Sequence, residues 1–168
     1  MINSPAGFAA GPTGVKSSPA PDFSVVIMIG TGLIRFVGEV ESSGETSSIR
    51  IREECCPALL GIEGYSHFFM LYWMHLRDDA EQRGILRVTP PRHEGAPLTG
   101  VFACRSHSRP NPHRAHRRGA EGVEGCVLEV SGLDALEGSP VVDIKPYSKG
   151  DSYPGARSPG WSRMGPKT

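Results

Sequence analysis

The run YSHFFMLYWMHL, residues Tyr65 to Leu76, constrains the fold of this chain most strongly. Its aromatic and aliphatic residues occupy both odd and even positions, so both faces of a strand built from it would be apolar. A helix of this length would also hold these residues, but aromatic enrichment favours a strand. The run therefore predicts a central strand that is covered on both faces.

Other segments predict more strands and few helices. Ile49 and Ile51 alternate with Arg50 and Arg52, which is the pattern of a half-buried strand. Acids in the first turn and a terminal glycine predict a short helix over residues 53–64, while residues 41–48 and 78–84 are expected to be links. Further strands are predicted in 25–40, 85–88, 101–103, 126–130 and 140–144. The fold class is mainly β.

The two ends of the chain differ in composition from its middle. Residues 1–22 are rich in Gly, Pro, Ser and Ala without an apolar period, and residues 148–168 are similar. Such segments bury too little apolar surface to fold alone. We expect a disordered N-terminal tail over 1–22, one domain over 23–147, and a flexible C-terminal tail over 148–168.

Charge and cysteine content indicate the compartment. Lysines plus arginines equal acids at 18 each, so no overall positive field points to nucleic acid. Between Arg105 and Arg118, however, five arginines and three histidines occur without an acid, which is either a solvated loop or an RNA contact. The chain has no long apolar run, no signal peptide and no CxxC pair, and Cys55-Cys56 is interpreted as a helix start. We expect a reduced, cytoplasmic protein that does not enter a membrane.

Two blocks carry the chemistry: GVFACRSHSRPNP (Gly100 to Pro112) and SGLDALEGSPVVDIKPY (Ser131 to Tyr147). Pro110 and Pro112 restrict the backbone of the first block, which is therefore a stiff polar loop. In the second block, Asp143 and Lys145 are two residues apart and share one face of a strand. A solvated surface pair would explain these two residues alone.

RSxxRPNP followed by SGLDxLxGxPVxDIKPY closely resembles the signature of the TsaA-like, or TrmO, family of S-adenosylmethionine-dependent tRNA methyltransferases. The resemblance covers about Ser48 to Tyr153. It implies a compact antiparallel β-barrel-like domain with short helices, a homodimer, and S-adenosylmethionine bound near these loops. It also implies methylation of N6 of threonylcarbamoyl-adenosine beside the anticodon of tRNA.

The resemblance and side-chain chemistry together suggest site residues. Asp143 is the candidate base or orienter, because a delocalised ureido nitrogen must lose its proton during attack, and Lys145 and Tyr147 would shape its pocket. Arg105 and Arg109 can hold a phosphate or carboxylate in two-point contact. The full set assigned to the methyl donor is His67, Arg105, Ser106, Arg109, Asn111, Pro112, Leu133 and Asp134.

One segment departs from the family. After RPNP the family has an apolar IGLS or IGLT strand, whereas this chain has HRAHRRGAEG, residues His113 to Gly122. A core strand here would bury three unpaired arginines, so we expect a cationic loop. Shifting the codons for His113 to Gly119 by one base permits Ile-Gly-Leu-Thr-Val-Val, and we hypothesise a compensated frameshift. A catalytically silent S-adenosylmethionine- or RNA-binding protein of the same fold is the alternative.

A metal-dependent hydrolase is a more distant alternative. The six histidines are scattered without ligand spacing. His67 and His75 would lie about 26 Å apart along one strand, too far to share an ion. His75 is interpreted as a core histidine, and no metal is expected.

Overall fold

The computed structural model describes residues 32–163, in which six strands close an antiparallel barrel. The strand order is β1-β2-β7-β6-β3-β8, and pairing of β1 with β8 closes the ring. β4 and β5 form a separate two-stranded sheet. The strands are β1 Gly38–Ser42, β2 Thr46–Ile51, β3 His67–Trp73, β4 Arg87–Val88, β5 Thr99–Gly100, β6 His113–Glu124, β7 Val127–Ser131 and β8 Pro140–Pro146.

The core fills the barrel with every second residue of its strands. Phe68, Met70 and Tyr72 of β3 are at most 3% exposed, and Ile49 and Ile51 of β2 face them from across the barrel interior. Full burial of such side chains contributes about 1.5–3 kcal/mol each. β3 lies between β6 and β8, which confirms the predicted central strand.

Residues His113 to Glu124 form the longest of the described strands, β6, so the prediction of a cationic loop here is wrong. β6 pairs with β3 along its first half and with β7 along its second. The expected cost of unpaired buried arginines is reduced because the basic side chains on the inward face surround a carboxylate, Asp134. The sequence pattern did not show where that counter-charge would come from.

Several local predictions differ from the structure. The expected helix over 53–64 is two 3-10 helices, separated at Leu60 and Gly61, and the expected strand over 101–103 is a 3-10 turn. The expected link over 78–84 contains a short α-helix, whose N-cap Asp79 accepts a hydrogen bond from the Gln82 amide. The described helices are 3-10 Glu53–Leu59, Ile62–Gly64, His75–Arg77, Val101–Ala103, Lys149–Asp151 and Gly160–Arg163, and α1 Ala80–Gly84.

Cys56 and Cys126 form a disulfide, so the expectation of fully reduced cysteines is wrong for this pair. Cys55 and Cys104 are free thiols. The bond joins the first 3-10 helix to the start of β7, where the amide of Ile51 also donates to the carbonyl of Cys126 at 2.8 Å. A pairing between positions 70 residues apart in sequence depends on the barrel and not on local spacing.

The two predicted tails differ in how much of them the structure describes. The predicted N-terminal tail, residues 1–22, lies outside the described residues, as does most of the expected strand over 25–40 before β1. After Tyr147 the described chain forms two 3-10 turns, and the Trp161 ring contacts the His93 ring at 5.6 Å between centroids. The flexibility of this C-terminal segment stays a prediction. None of the described helices combines the length and apolarity that a membrane crossing requires.

Candidate functional site

The wall formed by β3, β6 and β8 separates the candidate residues into two groups. Tyr72 pairs with Arg114 across β3 and β6, whereas Leu71 pairs with Asp143 across β3 and β8. Directly paired residues lie on the same side of a sheet, and neighbours along a strand lie on opposite sides. Arg114 therefore faces the barrel interior with Tyr72, and Asp143 faces outwards with Leu71.

Asp134, in the connection between β7 and β8, is the centre of the inner group. Its carboxylate accepts a hydrogen bond from the Tyr72 hydroxyl at 2.7 Å and forms an ion pair with Arg114 at 2.8 Å. His116 Nδ1 contacts the same carboxylate, and an Arg118 nitrogen lies 3.9 Å away. We call these five residues the Asp134 network.

Burial and charge act in opposite directions on Asp134. Burial alone would raise the pKa of its carboxyl, but the Tyr72 hydrogen bond and the positive charge of Arg114 outweigh it and lower the pKa. For Tyr72, burial and then the bond to Asp134 raise the pKa of the phenol well above its usual value. Asp134 is therefore an anion, and Tyr72 donates to it as a neutral phenol.

His116 cannot satisfy both of its neighbours. Burial lowers the pKa of its imidazole, Arg118 and Arg114 lower it further, and Asp134 opposes them. Its Nδ1 contacts Asp134 and also lies 2.7 Å from an Arg118 nitrogen. A neutral Nδ1 either donates to the carboxylate or accepts from the guanidinium, but not both. Nε of Arg114 and Nε of Arg118 are buried without a partner among the described residues, so the network is incompletely satisfied.

Arg114 connects this network to the first signature block. One of its terminal nitrogens lies 3.0 Å from His107 Nε2, and the other contacts Asp134. Burial lowers the pKa of His107, and the charges of Arg114, Arg92 and Arg77 lower it further. The neutral imidazole can accept the Arg114 hydrogen bond at Nε2. The two signature blocks thus meet at a single guanidinium.

The predicted donor-binding residues have mixed roles in the structure. Arg109 donates to the Val101 carbonyl at 3.2 Å, and the buried Pro112 accepts from the Met74 amide at 2.7 Å. Leu133 lies in the core, and its amide donates to the Ser47 hydroxyl at 3.0 Å. Asn111 is exposed, and its backbone carbonyl accepts from the His113 amide. These contacts shape the fold around Asp134.

Arg105 and Ser106 line a cavity of about 660 Å³ beside the network. Its wall comes from the stretch after β4, from the loop before β6 and from the C-terminal segment. Arg114 also reaches this wall, so the cavity adjoins the Asp134 network. The lining includes Arg77, Arg92, Arg105, His107, Arg114 and Trp161.

The residues predicted to be catalytic meet on the outer face. Lys145 Nζ lies 2.6 Å from an Asp143 oxygen, which confirms that these two side chains share a face. The Tyr147 ring contacts Phe69 at 5.5 Å and His67 at 6.2 Å between centroids, and the Arg117 guanidinium carbon lies 4.8 Å from its centre. We call these six residues the outer-face cluster. His67, predicted to bind the donor, lies here and not in the Asp134 network.

Comparison with known proteins identifies the family. Residues 39–151 match the tRNA-methyltransferase O N-terminal domain. The chain belongs to this family. A probable S-adenosyl-L-methionine-binding protein of Methanothermobacter thermautotrophicus is 46% identical over 106 residues, which are 62% of this chain and 72% of that protein.

Other relatives are longer than this chain. The human tRNA (adenine(37)-N6)-methyltransferase is 41% identical over 90 residues, or 54% of this chain but 20% of that protein. The crystal structure of TrmO from Pseudomonas aeruginosa superposes with a TM-score of 0.62 at 26% identity, covering 82% of this chain and 65% of that one. The family fold is therefore shared, and the barrel agrees with the sequence prediction.

Several residues of the candidate site are not predicted by the sequence patterns. The patterns place Tyr72 only in the aromatic run, and they place His107, Arg114 and His116 only in the basic stretch between Arg105 and Arg118. A signal was present, because Arg114, His116 and Arg118 alternate with a period of two, as residues on one face of a strand do. No comparable local signal placed Trp161 beside the cavity.

Proposed function

We propose that this protein is an S-adenosylmethionine-dependent methyltransferase that acts on tRNA. The observation that carries the proposal is the meeting of the two signature blocks, since His107 of the first and Asp134 of the second contact the same guanidinium. The names of the relatives support the same activity. Because the chain spans only part of several relatives, the activity of the whole protein stays a proposal.

The Asp134 network fits the methyl donor in part. S-adenosylmethionine, when bound, supplies the methyl group and carries positive charge, which a carboxylate stabilises. Asp134 is such a carboxylate, and a third of its side chain is exposed, at 33%. It is already paired with Arg114 and His116, so donor binding requires exchange of at least one of these contacts.

The finer proposal concerns the substrate and the base. Following the family resemblance, the substrate is N6 of threonylcarbamoyl-adenosine beside the anticodon in cytoplasmic tRNA. Asp143 would accept the proton that leaves this nitrogen, while Lys145 and Tyr147 shape the pocket. The Asp143 carboxylate already accepts the Ile144 amide at 2.9 Å, which holds its orientation. Asp143→Asn should retain donor binding and lose most turnover; unchanged turnover would reject this role.

The separation of the two groups supports a homodimer. The Asp134 network faces the interior of the β3-β6-β8 wall and the outer-face cluster faces the opposite side. We therefore propose that one copy supplies Asp134 and its partner supplies Asp143 to a shared site. Asp134→Asn and Asp143→Asn proteins, each inactive alone, should recover activity when mixed. Failure to recover activity in mixtures that form heterodimers would contradict the shared site.

Calorimetric titration with S-adenosylmethionine tests the main proposal first. Saturable binding should be followed by transfer of a labelled methyl group to tRNA. Comparing tRNA with and without the threonylcarbamoyl group then tests the finer substrate assignment. Absence of both binding and transfer would reject the methyltransferase.

A catalytically silent protein of the same fold is the second candidate. The observation that favours it is that the Asp134 oxygens already contact Tyr72, Arg114 and His116 of the same chain. Such a protein would bind S-adenosylmethionine or RNA and transfer no methyl group. Single-turnover measurements with excess protein separate this case from slow catalysis.

A further inference from the structure

Part of the first signature block is a loop, residues 105–110, that backbone hydrogen bonds do not hold. No backbone–backbone hydrogen bond joins this 105–110 loop to another described residue. Pro110 has no amide proton and cannot donate one. A segment whose backbone groups lack fixed partners opens locally at a low cost in free energy. The conformation of the loop therefore depends on side-chain contacts.

The short helix α1 supplies two of these contacts. Arg83 Nη1 donates to the Pro110 carbonyl at 2.9 Å, and the Ser108 hydroxyl donates to the side-chain oxygen of Gln82. The Pro110 carbonyl belongs to the rigid peptide plane that leads to Asn111, one of the residues assigned to the methyl donor. By fixing this carbonyl, Arg83 sets the orientation of that plane.

Arg83 is itself held from the barrel. Its Nε donates to one oxygen of Asp78, and the buried Trp73 of β3 donates from its indole nitrogen to the other oxygen at 2.8 Å. The bond from Arg83 and then the bond from Trp73 lower the pKa of the Asp78 carboxyl, so it is an anion at neutral pH. The Arg83 guanidinium carbon also lies over the Trp73 ring, 5.7 Å from its centre. A chain of contacts thus runs from β3 through Asp78 and Arg83 to the loop.

These contacts add little to the core of the barrel. None of the residues of α1 is buried, and the side chains of Arg83 and Asp78 are 40% and 30% exposed. Ion pairs that water reaches contribute little to the free energy of unfolding. The main structural effect of Arg83 is therefore on the loop that it contacts.

We propose that Arg83 is a positioning residue, which holds the 105–110 loop in the conformation that binds the methyl donor. Arg83 acts through the Pro110 carbonyl, and Asp78 orients its guanidinium. Arg83 and Asp78 lie outside both signature blocks. The inference rests on the proposed function, because it concerns donor binding by the same site.

Two measurements on the purified full chain test the proposal. Calorimetry gives the affinity for S-adenosylmethionine, and limited digestion with trypsin gives the opening of the loop. Trypsin cleaves after arginine or lysine but not before proline, so the Arg109-Pro110 bond is resistant and the Arg105-Ser106 bond is the reporter. Cleavage after Lys149, in a 3-10 turn beyond the barrel, is the internal reference.

Two variants break the contact chain at different points. Arg83→Gln removes the donor to Pro110. Asp78→Asn keeps an oxygen for the Trp73 indole, removes the charged partner of Arg83, and retains every arginine for the digestion. Arg87→Gln is the matched control, because it removes the same charge from the exposed residue of β4.

We expect cleavage after Arg105 to accelerate about tenfold in Arg83→Gln and Asp78→Asn, because a charge-assisted hydrogen bond is lost and cleavage follows the open population. S-adenosylmethionine should bind at least about threefold more weakly, since only the closed loop binds it. Arg83→Lys keeps the charge without the fork of donors, so it should recover less than about half of the lost affinity. The control should match the wild type, and the urea midpoint should change by less than about 0.5 M in every variant.

Catalysis and coupling separate positioning from a general loss of structure. In methyl transfer, the KM of Arg83→Gln for the donor should rise while kcat stays within about twofold, because the lost contact supports binding. The Asp78→Asn, Arg83→Gln double variant should bind the donor no more weakly than Arg83→Gln alone, because Asp78 acts through Arg83.

Four outcomes would overturn the inference. Wild-type binding of S-adenosylmethionine that Arg83→Gln leaves unchanged would overturn it without affecting the proposed function. Equal losses in Arg87→Gln, or full recovery in Arg83→Lys, would assign the effect to charge alone. A urea midpoint that falls in parallel with the affinity would assign it to unfolding of the whole domain. A wild type with neither donor binding nor methyl transfer would reject the proposed function and with it the donor role of Arg83.

Discussion

Replacing Asp134 with asparagine removes the carboxylate on which Arg114, His116 and Arg118 converge. Breaking a fully buried ion pair by removing one partner costs about 3–5 kcal/mol, whereas exposed pairs contribute about 0–1 kcal/mol. The side chains of Arg114 and His116 are 13% and 17% exposed and that of Asp134 is 33% exposed, so the network lies between these limits. Asparagine keeps an oxygen for Tyr72, and we expect a loss of about 2 kcal/mol.

Urea unfolding followed by tryptophan fluorescence measures this loss. With a slope of about 2 kcal/mol/M, the midpoint of Asp134→Asn should fall by about 1 M. Asp143→Asn is the matched control, because the side chains of its ion pair are mostly in water, with Asp143 43% and Lys145 61% exposed. Loss of this pair should change the midpoint by less than about 0.5 M. The Asp134→Asn, Arg114→Gln double variant should lose less unfolding free energy than the sum of the losses in the two single variants. A midpoint for Asp134→Asn no lower than that of the control would refute the counter-charge argument for β6.

The disulfide, the two half-buried histidines and the divergent segment can each be tested by substitution. Cys126→Ser should lower the free energy of unfolding by about 4 kcal/mol, because the bond to Cys56 joins positions 70 residues apart. Reductant should destabilise the wild type but not this variant, and equal sensitivity of both proteins would contradict this prediction. Burial and nearby arginines lower the pKa of His107 and His116, so the unfolded chain gains protons first as the pH falls. Stability should therefore be complete above about pH 6.5 and decline below it, and a His107→Gln, His116→Gln double variant should show a smaller decline; an undiminished decline would assign it to other groups. Replacing residues 113–118 with Ile-Gly-Leu-Thr-Val-Val should remove the contacts that Arg114 and His116 make with Asp134. S-adenosylmethionine affinity should then rise at least about tenfold, because a charge-assisted contact is worth about 1.5–3 kcal/mol. Unchanged affinity would count against a frameshift that damaged the donor site.

Elements with strong periodicity are predictable from their residues alone. The aromatic run became the central strand β3, and the alternation of Ile49 and Ile51 with arginines became β2, because side chains of a strand alternate between core and water. The spacing of Asp143 and Lys145 placed both on one face for the same reason. The two signature blocks predicted the family, and Asp134 in the second block is the centre of the inner network.

Which distant groups meet depends on the closed barrel and not on any local pattern. HRAHRRGAEG has no apolar face, so its sequence favoured a loop, yet barrel pairing with β3 and β7 makes it a strand, and Asp134 supplies the counter-charge. The Cys56–Cys126 bond and the contact of Trp161 with His93 likewise join positions far apart in the chain. Local patterns report which side of an element faces the core. They do not report the partner across it, because closure of the barrel sets that partner.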